Sequence, residues 1–170
     1  MRRSLLLVGL LGASMIPCVA ATDGPAGWFL AGDHPQNYTT GWDGSAVVSI
    51  VSKPDSSGEG FGTLMRQMDA TEYRGTRVRF TATVRSEDVT GWAGLWMRVD
   101  RGSRTVAFDN MQSRAIRGTT GWKMYDVVLN VPADATKISF GTLVISRGSV
   151  WMENAHIEPV DKSVPTTAPW

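Results

Sequence analysis

Turn-forming clusters cut this chain into short β-favouring runs, and that spacing narrows the folds open to it more than any other feature. Lys53-Pro54-Asp55-Ser56-Ser57-Gly58, Asp100-Arg101-Gly102-Ser103, Pro132-Ala133-Asp134 and Arg147-Gly148 supply conformations that strands do not use. Between them the pattern predicts strands at 46–52, 61–68, 77–85, 92–99, 105–110, 123–131, 138–146 and 150–158, with 28–31 as a further short piece. Helix signals are nearly absent; 69–73 reads as one helical turn before Arg74-Gly75. Antiparallel strands of this number in one domain pack as two sheets around a core. The expected fold is therefore all-β, a two-sheet antiparallel β-sandwich of the jelly-roll or a related Greek-key type. An immunoglobulin-type sandwich is the structural alternative, weakened by the lack of a cysteine pair.

The first residues read as a leader and not as fold. Arg2 and Arg3 precede an apolar stretch from Leu5 to Ile16, and Val19-Ala20-Ala21 offers a small-residue cleavage site. The expected division is a signal peptide over 1–21, a β-sandwich binding domain over 22–160 and a flexible C-terminal tail over 161–170. Cys18 raises a lipoprotein alternative, against which Met15-Ile16-Pro17 argues. Cys18 is the chain's single cysteine. If it leaves with the leader, no disulfide framework remains and stability must come from the core. Roughly 150 residues would be left, enough for one domain with a real core. Losing Arg2 and Arg3 takes Lys+Arg from 17 to 15 against 16 Asp+Glu, near neutrality. That balance steers the protein to neither nucleic acid nor anionic lipid. No second apolar segment of membrane length follows, so the expected product is periplasmic or secreted, with no membrane insertion after processing.

The chain is rich in indoles and poor in reactive groups. It carries seven tryptophans, two histidines and one cysteine. Three of the tryptophans close Thr-Gly-Trp triplets, at Trp42, Trp92 and Trp122, whose spacing is too irregular for a repeat. Indoles are large rigid plates with one N–H donor, suited to cores and binding surfaces alike.

Alternation along residues 92–100 says where a ligand would sit. Ala93, Leu95, Met97 and Val99 fall on one face and belong to the core; Trp92, Gly94, Trp96, Arg98 and Asp100 fall on the other. Two indoles, a guanidinium and a carboxylate on one face fit the floor of a groove. The same pattern also fits a face covered by a loop, with Trp96 buried and Arg98 paired to a neighbouring acid. In the next run Val106 and Phe108 are expected inward and Ala107, Asp109 and Met111 outward. Asp109, Asn110 and Gln112 then become hydrogen-bonding candidates, or satisfy turn backbone. Arg66 and Gln67 are similar candidates on a run whose two faces are both partly apolar.

Catalytic patterns are weak. His34 sits in an Asp33-His34-Pro35 loop and His156 in the final strand, neither beside a nucleophile motif. Paired carboxylates for glycoside hydrolysis are defined only in three dimensions. No zinc spacing exists, and no cofactor is expected; loop Asp33, Asp43 or Asp55 would suit a structural calcium, on an unspecific signal.

Several segments resemble a known family. Tyr73-Arg74-Gly75-Thr76-Arg77-Val78-Arg79-Phe80 resembles the strand entry of bacterial carbohydrate-binding-module-like, galactose-binding-like jelly rolls, and Val150-Trp151-Met152-Glu153-Asn154-Ala155-His156-Ile157-Glu158 their closing strand. Residues 91–100, 108–112 and 118–122 resemble a bacterial subgroup, some of whose members are appended to proteins named as transcriptional regulators. Glu153-Asn154 departs from the acidic pair usual in the closing strand. The resemblance implies a jelly roll and a non-catalytic binding module, with carbohydrate or a related polar molecule as ligand. The competing expectation is an envelope structural or protein-interaction domain, whose outer tryptophans meet a partner protein. No helix-turn-helix segment accompanies the resemblance here.

Overall fold

The computed structural model describes residue 25 and residues 27–168. The expected leader, Cys18 and Trp170 lie outside the described residues. The strands are β1 (Phe29–Gly32), β2 (Tyr38–Trp42), β3 (Val48–Ser52), β4 (Phe61–Asp69), β5 (Arg77–Arg101), β6 (Arg104–Asp109), β7 (Ile116–Asn130), β8 (Lys137–Ile145) and β9 (Ser149–Val160). All pairings are antiparallel. The expected helical turn is a short 3-10 turn, Thr71–Tyr73. Among the described residues no helix is long and apolar enough to cross a membrane.

The two runs expected at 77–85 and 92–99 form one 25-residue strand. The first half of β5 pairs with β9 and β7; the second pairs with β8 and β6. The molecule is thus an antiparallel β-sandwich of jelly-roll type. One layer runs β1-β4-β8-β5-β6 and the other β2-β3-β9-β5-β7, with β5 shared. The passage between layers is visible in side-chain parity. Val78, Phe80, Ala82 and Val84 point inward in the first half, and Val89, Ala93, Leu95, Met97 and Val99 in the second. Inward positions change from even to odd at Asp88, whose φ of 52° is left-handed, and the register with β7 shifts on either side of it. The stretch between the two expected runs includes Ser86-Glu87-Asp88, a bulge that lets one strand change sheets.

Leu64, Leu95, Ile138 and Val144 of one layer meet Ile50, Val78, Phe80 and Val150 of the other in a single core. The Phe80 and Phe140 rings join the layers at 5.0 Å between centroids. Burying each such side chain contributes about 1.5–3 kcal/mol. β2 was not expected as a strand, since Tyr38-Thr39-Thr40-Gly41-Trp42 follows a Pro-Gln-Asn turn. Its anchor is Tyr38, 2% exposed, whose hydroxyl donates to the Ser146 carbonyl at 2.7 Å. Residues 161–168, expected as a flexible tail, return along the first half of β5 and β7. Arg77 donates to the Lys162 carbonyl, and Thr167 and Val128 exchange hydrogen bonds.

Candidate functional site

The outer face of the β1-β4-β8-β5-β6 layer carries a groove of about 510 Å³. Register builds it row by row, because directly opposed residues share a face. Trp92 lies opposite Ile145, which in turn opposes Phe61; Gly94, Leu143 and Thr63 form the next row. Trp96, Gly141 and Met65 follow, with Phe29 at the β1 edge, and then Arg98, Ser139 and Gln67. Phe108 of β6 closes the far side opposite Arg98. Of the residues expected from sequence, the groove brings together Trp92, Trp96, Arg98, Gln67 and Asn110.

Each of these has a distinct state. Trp96 was expected as a partly exposed plate, but it is 7% exposed, packed with Met65 and Leu143 into the groove floor. Its Nε1 donates to Thr63 Oγ1 at 2.7 Å, and the Thr63 hydroxyl donates to the Thr142 carbonyl at 2.8 Å. That indole N–H is therefore already engaged. Floor depth depends on Gly141 between Trp96 and Met65. A Cβ there would stand 2.2 Å from the Leu64 carbonyl oxygen and 2.8 Å from Met65 Cα, so only glycine permits this approach of β4 to β8. Trp92 is half-buried at the other end and presents its indole to the groove.

The polar groups gather at the Arg98 end. Asp100, 4% exposed, receives Arg98 Nε at 3.0 Å, with Thr105 Oγ1 at 3.1 Å and Lys137 Nζ at 3.8 Å also on its carboxylate. Buried among these partners, Asp100 orients Arg98 and does not itself line the groove. Asn110 Oδ1 accepts the Gln112 N–H, which turns its amide Nδ2 free for another partner. Ser139, fully buried between Arg98 and Gln67 in register, has a hydroxyl with no partner among the described residues.

Besides Asp100, three expected site residues lie outside the groove. Asp109 is 4% exposed; it accepts the Met111 N–H and an Arg114 Nη2 donor at 2.8 Å, and so holds the turn after β6. The expected outward parity of Asp109 is inverted. A bulge between Val99 and Asp100 leaves Val106 unpaired, so Ala107 opposes Val99 on the core side and Phe108 opposes Arg98 on the groove side. Gln112 is exposed in the 3-10 turn Gln112–Arg114 and does not line the groove. Arg66 takes the core side of β4, at the open end of the sandwich, with its guanidinium 5.9 Å from the Trp28 ring. Phe108, Met65, Leu143 and Phe29 were missed as groove residues. The signal available for β4 was that both its alternating sets are apolar, which means both its faces are covered.

Asp33, Asp43 and His156 stand outside the groove, each beside a structural partner. Asp33 accepts the Phe61 N–H at 2.6 Å, which holds its carboxyl below the ordinary range, with His34 beside it at 3.2 Å. Asp43 is lowered in the same way by the N–H of Ser45. His156 lies 3.9 Å from Glu158, and neither histidine lines the groove. No group of three His, Cys, Asp or Glu side chains that could hold a metal occurs among the described residues.

Comparison with known proteins bears on relatives and on fold. No family model matches the sequence. The chain is 40% identical over 148 residues to the uncharacterized HTH-type transcriptional regulator YbfP of Bacillus subtilis, covering 83% of this chain and 50% of that protein. The chain thus spans about half the length of this curated relative. In structure it resembles the enzymatically active domain of bacteriophage CBA120 tailspike protein 4, with TM-score 0.60 at 14% identity, covering 79% of this chain and 20% of that one. It also resembles the CBM22-1-GH10 modules of Clostridium thermocellum xylanase 10B, TM-score 0.53 at 11% identity over 79% of this chain and 26% of that one. The CBM22-1 xylan-binding domain of Paenibacillus barcinonensis Xyn10C gives TM-score 0.51 at 13% identity, covering 82% and 89% of the two chains. At these identities the likeness is one of fold.

Proposed function

We propose that this domain is an exported, non-catalytic module that binds a carbohydrate chain in the groove of the β1-β4-β8-β5-β6 layer. The observation that carries the reading is the groove's division of chemistry. Its floor is apolar and aromatic, from Trp92 and Phe61 across Trp96 and Met65 to Phe29, while Arg98, Gln67 and Asn110 gather at one end. Sugars present apolar C–H faces and a rim of hydroxyls, so plates serve the first and donors the second. Asp100 fixes Arg98 in place before any ligand arrives, which lowers the ordering cost of binding. The xylan-binding domain among its structural neighbours, and the CBM22-1-GH10 modules complexed with xylohexaose, support a polysaccharide as the ligand class. Export rests on the leader read at residues 1–21.

The alternative, a protein-interaction domain, would use the same groove for a peptide. The test is calorimetric titration with a panel of neutral polysaccharides, xylan included, on the native protein and on Trp92→Ala. Binding lost by about 1–3 kcal/mol in the variant, with the urea midpoint retained, is the expected result. Equal binding by both proteins, or no polysaccharide bound at all, refutes the groove reading. Mass spectrometry of exported protein checks the leader; an intact Met1 or a lipid on Cys18 would refute it.

A further inference from the structure

The opposite side of the sandwich carries a second cluster that the groove does not explain. Trp122 of β7, Arg85 of β5 and Trp151 of β9 stand side by side on the outer face of the other layer. The Arg85 guanidinium carbon is 3.7 Å from the Trp151 ring centroid and 5.6 Å from that of Trp122. An atom 3.7 Å from a ring centre must lie over the ring face, because in the ring plane it would overlap the ring itself. The guanidinium carbon therefore lies over the Trp151 ring face. Trp122 is 44% exposed, and Met124 beside it is 70% exposed.

Arg85 differs from its neighbours on the same strand face. Arg79 donates to Glu158 at 2.6 Å, and Arg77 donates to Asn130 and to the Lys162 carbonyl. Arg85 makes no ion pair and no hydrogen bond among the described residues; its only recorded partners are the two indoles. A guanidinium held over an indole with no other partner keeps its planar fork of donors for a ligand, and that fork matches a carboxylate in bidentate geometry. Trp122, 44% exposed on one side of Arg85, offers a face to a ring that bears the carboxylate. β5 is paired on both sides here, so Arg85 itself does not sit at a free strand edge.

We infer that Trp122, Arg85 and Trp151 form a second binding site, for a carboxylate-bearing sugar unit of the uronate type. Arg85 takes the carboxylate, Trp122 takes the sugar ring and Trp151 holds Arg85 in place. The site stands on its own geometry and does not depend on the groove reading.

The test uses the full chain and two forms of one polymer, polygalacturonate and its fully methyl-esterified derivative, titrated at low and high salt. The ester keeps every C–H face and masks every carboxylate. The expected result is affinity for the acid form higher by about tenfold or more, weakening with salt. Arg85→Gln should remove that preference. Arg85→Lys, which keeps the charge and loses the planar fork, should retain only part of it, and serves if the glutamine variant lowers the urea midpoint. Equal affinity for acid and ester, a preference that survives Arg85→Gln, or full preference in Arg85→Lys overturns the proposal. Polyglutamate bound as tightly as polygalacturonate with the same Arg85 dependence overturns the sugar assignment in favour of an acidic peptide. Because the readout is the difference between acid and ester, weak binding of both at the groove leaves it unchanged.

Discussion

Replacing Thr63 by Val tests whether the groove floor is held by the hydrogen-bond relay beneath it. Valine keeps the shape of threonine and removes the hydroxyl. That hydroxyl accepts Trp96 Nε1 at 2.7 Å and donates to the Thr142 carbonyl at 2.8 Å, with Thr63 at 4% and Trp96 at 7% exposure. No water can replace it at that depth without moving the indole. The indole N–H is left unsatisfied in a buried site, which costs about 1–3 kcal/mol. With an m-value of about 2 kcal/mol/M, a loss of about 2 kcal/mol lowers the urea midpoint by about 1 M. Trp96→Phe removes the donor and some volume, so it is destabilising alone. In that background Thr63→Val strands no N–H and should cost much less. Urea unfolding of the four proteins yields a coupling energy, expected at about 1 kcal/mol or more. Additivity within about 0.5 kcal/mol would refute the relay and would return Trp96 to the role of a plate held by packing alone.

Further outcomes follow from the same geometry. Leu95→Ala, at a fully buried core position, should cost about 2–5 kcal/mol in urea unfolding and leave the groove lining in place. Gly141→Ala should cost as much as or more than ordinary overpacking, about 1–3 kcal/mol, because its Cβ meets strand backbone, which cannot rotate away. In acid, the lowered carboxyls of Asp33 and Glu158 set the direction: the Phe61 N–H depresses the first and Arg79 the second. Groups depressed in the folded state stabilise it fully above their unfolded values and lose that contribution as pH falls toward the folded ones. The thermal midpoint should therefore drop below about pH 4, and less steeply in Asp33→Asn. A midpoint flat from pH 5 to pH 2 would contradict the assignment of these partners.

Alternation was legible wherever a strand was regular. Ala93, Leu95, Met97 and Val99 lie in the core as their spacing implies, and Trp92, Trp96 and Arg98 share the groove face. It failed where one extra residue enters a strand. At Val106 a bulge exchanged the faces of Phe108 and Asp109, and at Asp88 a left-handed residue joined two expected strands into one. Neither position carries a glycine or proline to announce it. Depth was also hidden. Trp96 sits in the floor because β4 approaches β8 closely at Gly141, which is a property of two strands in register. The Trp122, Arg85 and Trp151 row needs three strands to be aligned, so residues far apart in the chain gave no local sign of it.

The one-residue slip at Asp88 has a consequence for valency. Because β5 turns over as it changes layers, its first half shows Arg85 to one side of the molecule and its second half shows Trp92 and Arg98 to the other. The two surfaces point away from each other across a shared core. They sit on one continuous strand, so no linker adjusts their separation and no loop closure is needed to bring both into use. A polymer held on one side would have to pass around the sandwich to reach the other. Two-sided occupancy would recruit a second chain, and the domain would act as a cross-link between polymers and not as a chelating clamp on one.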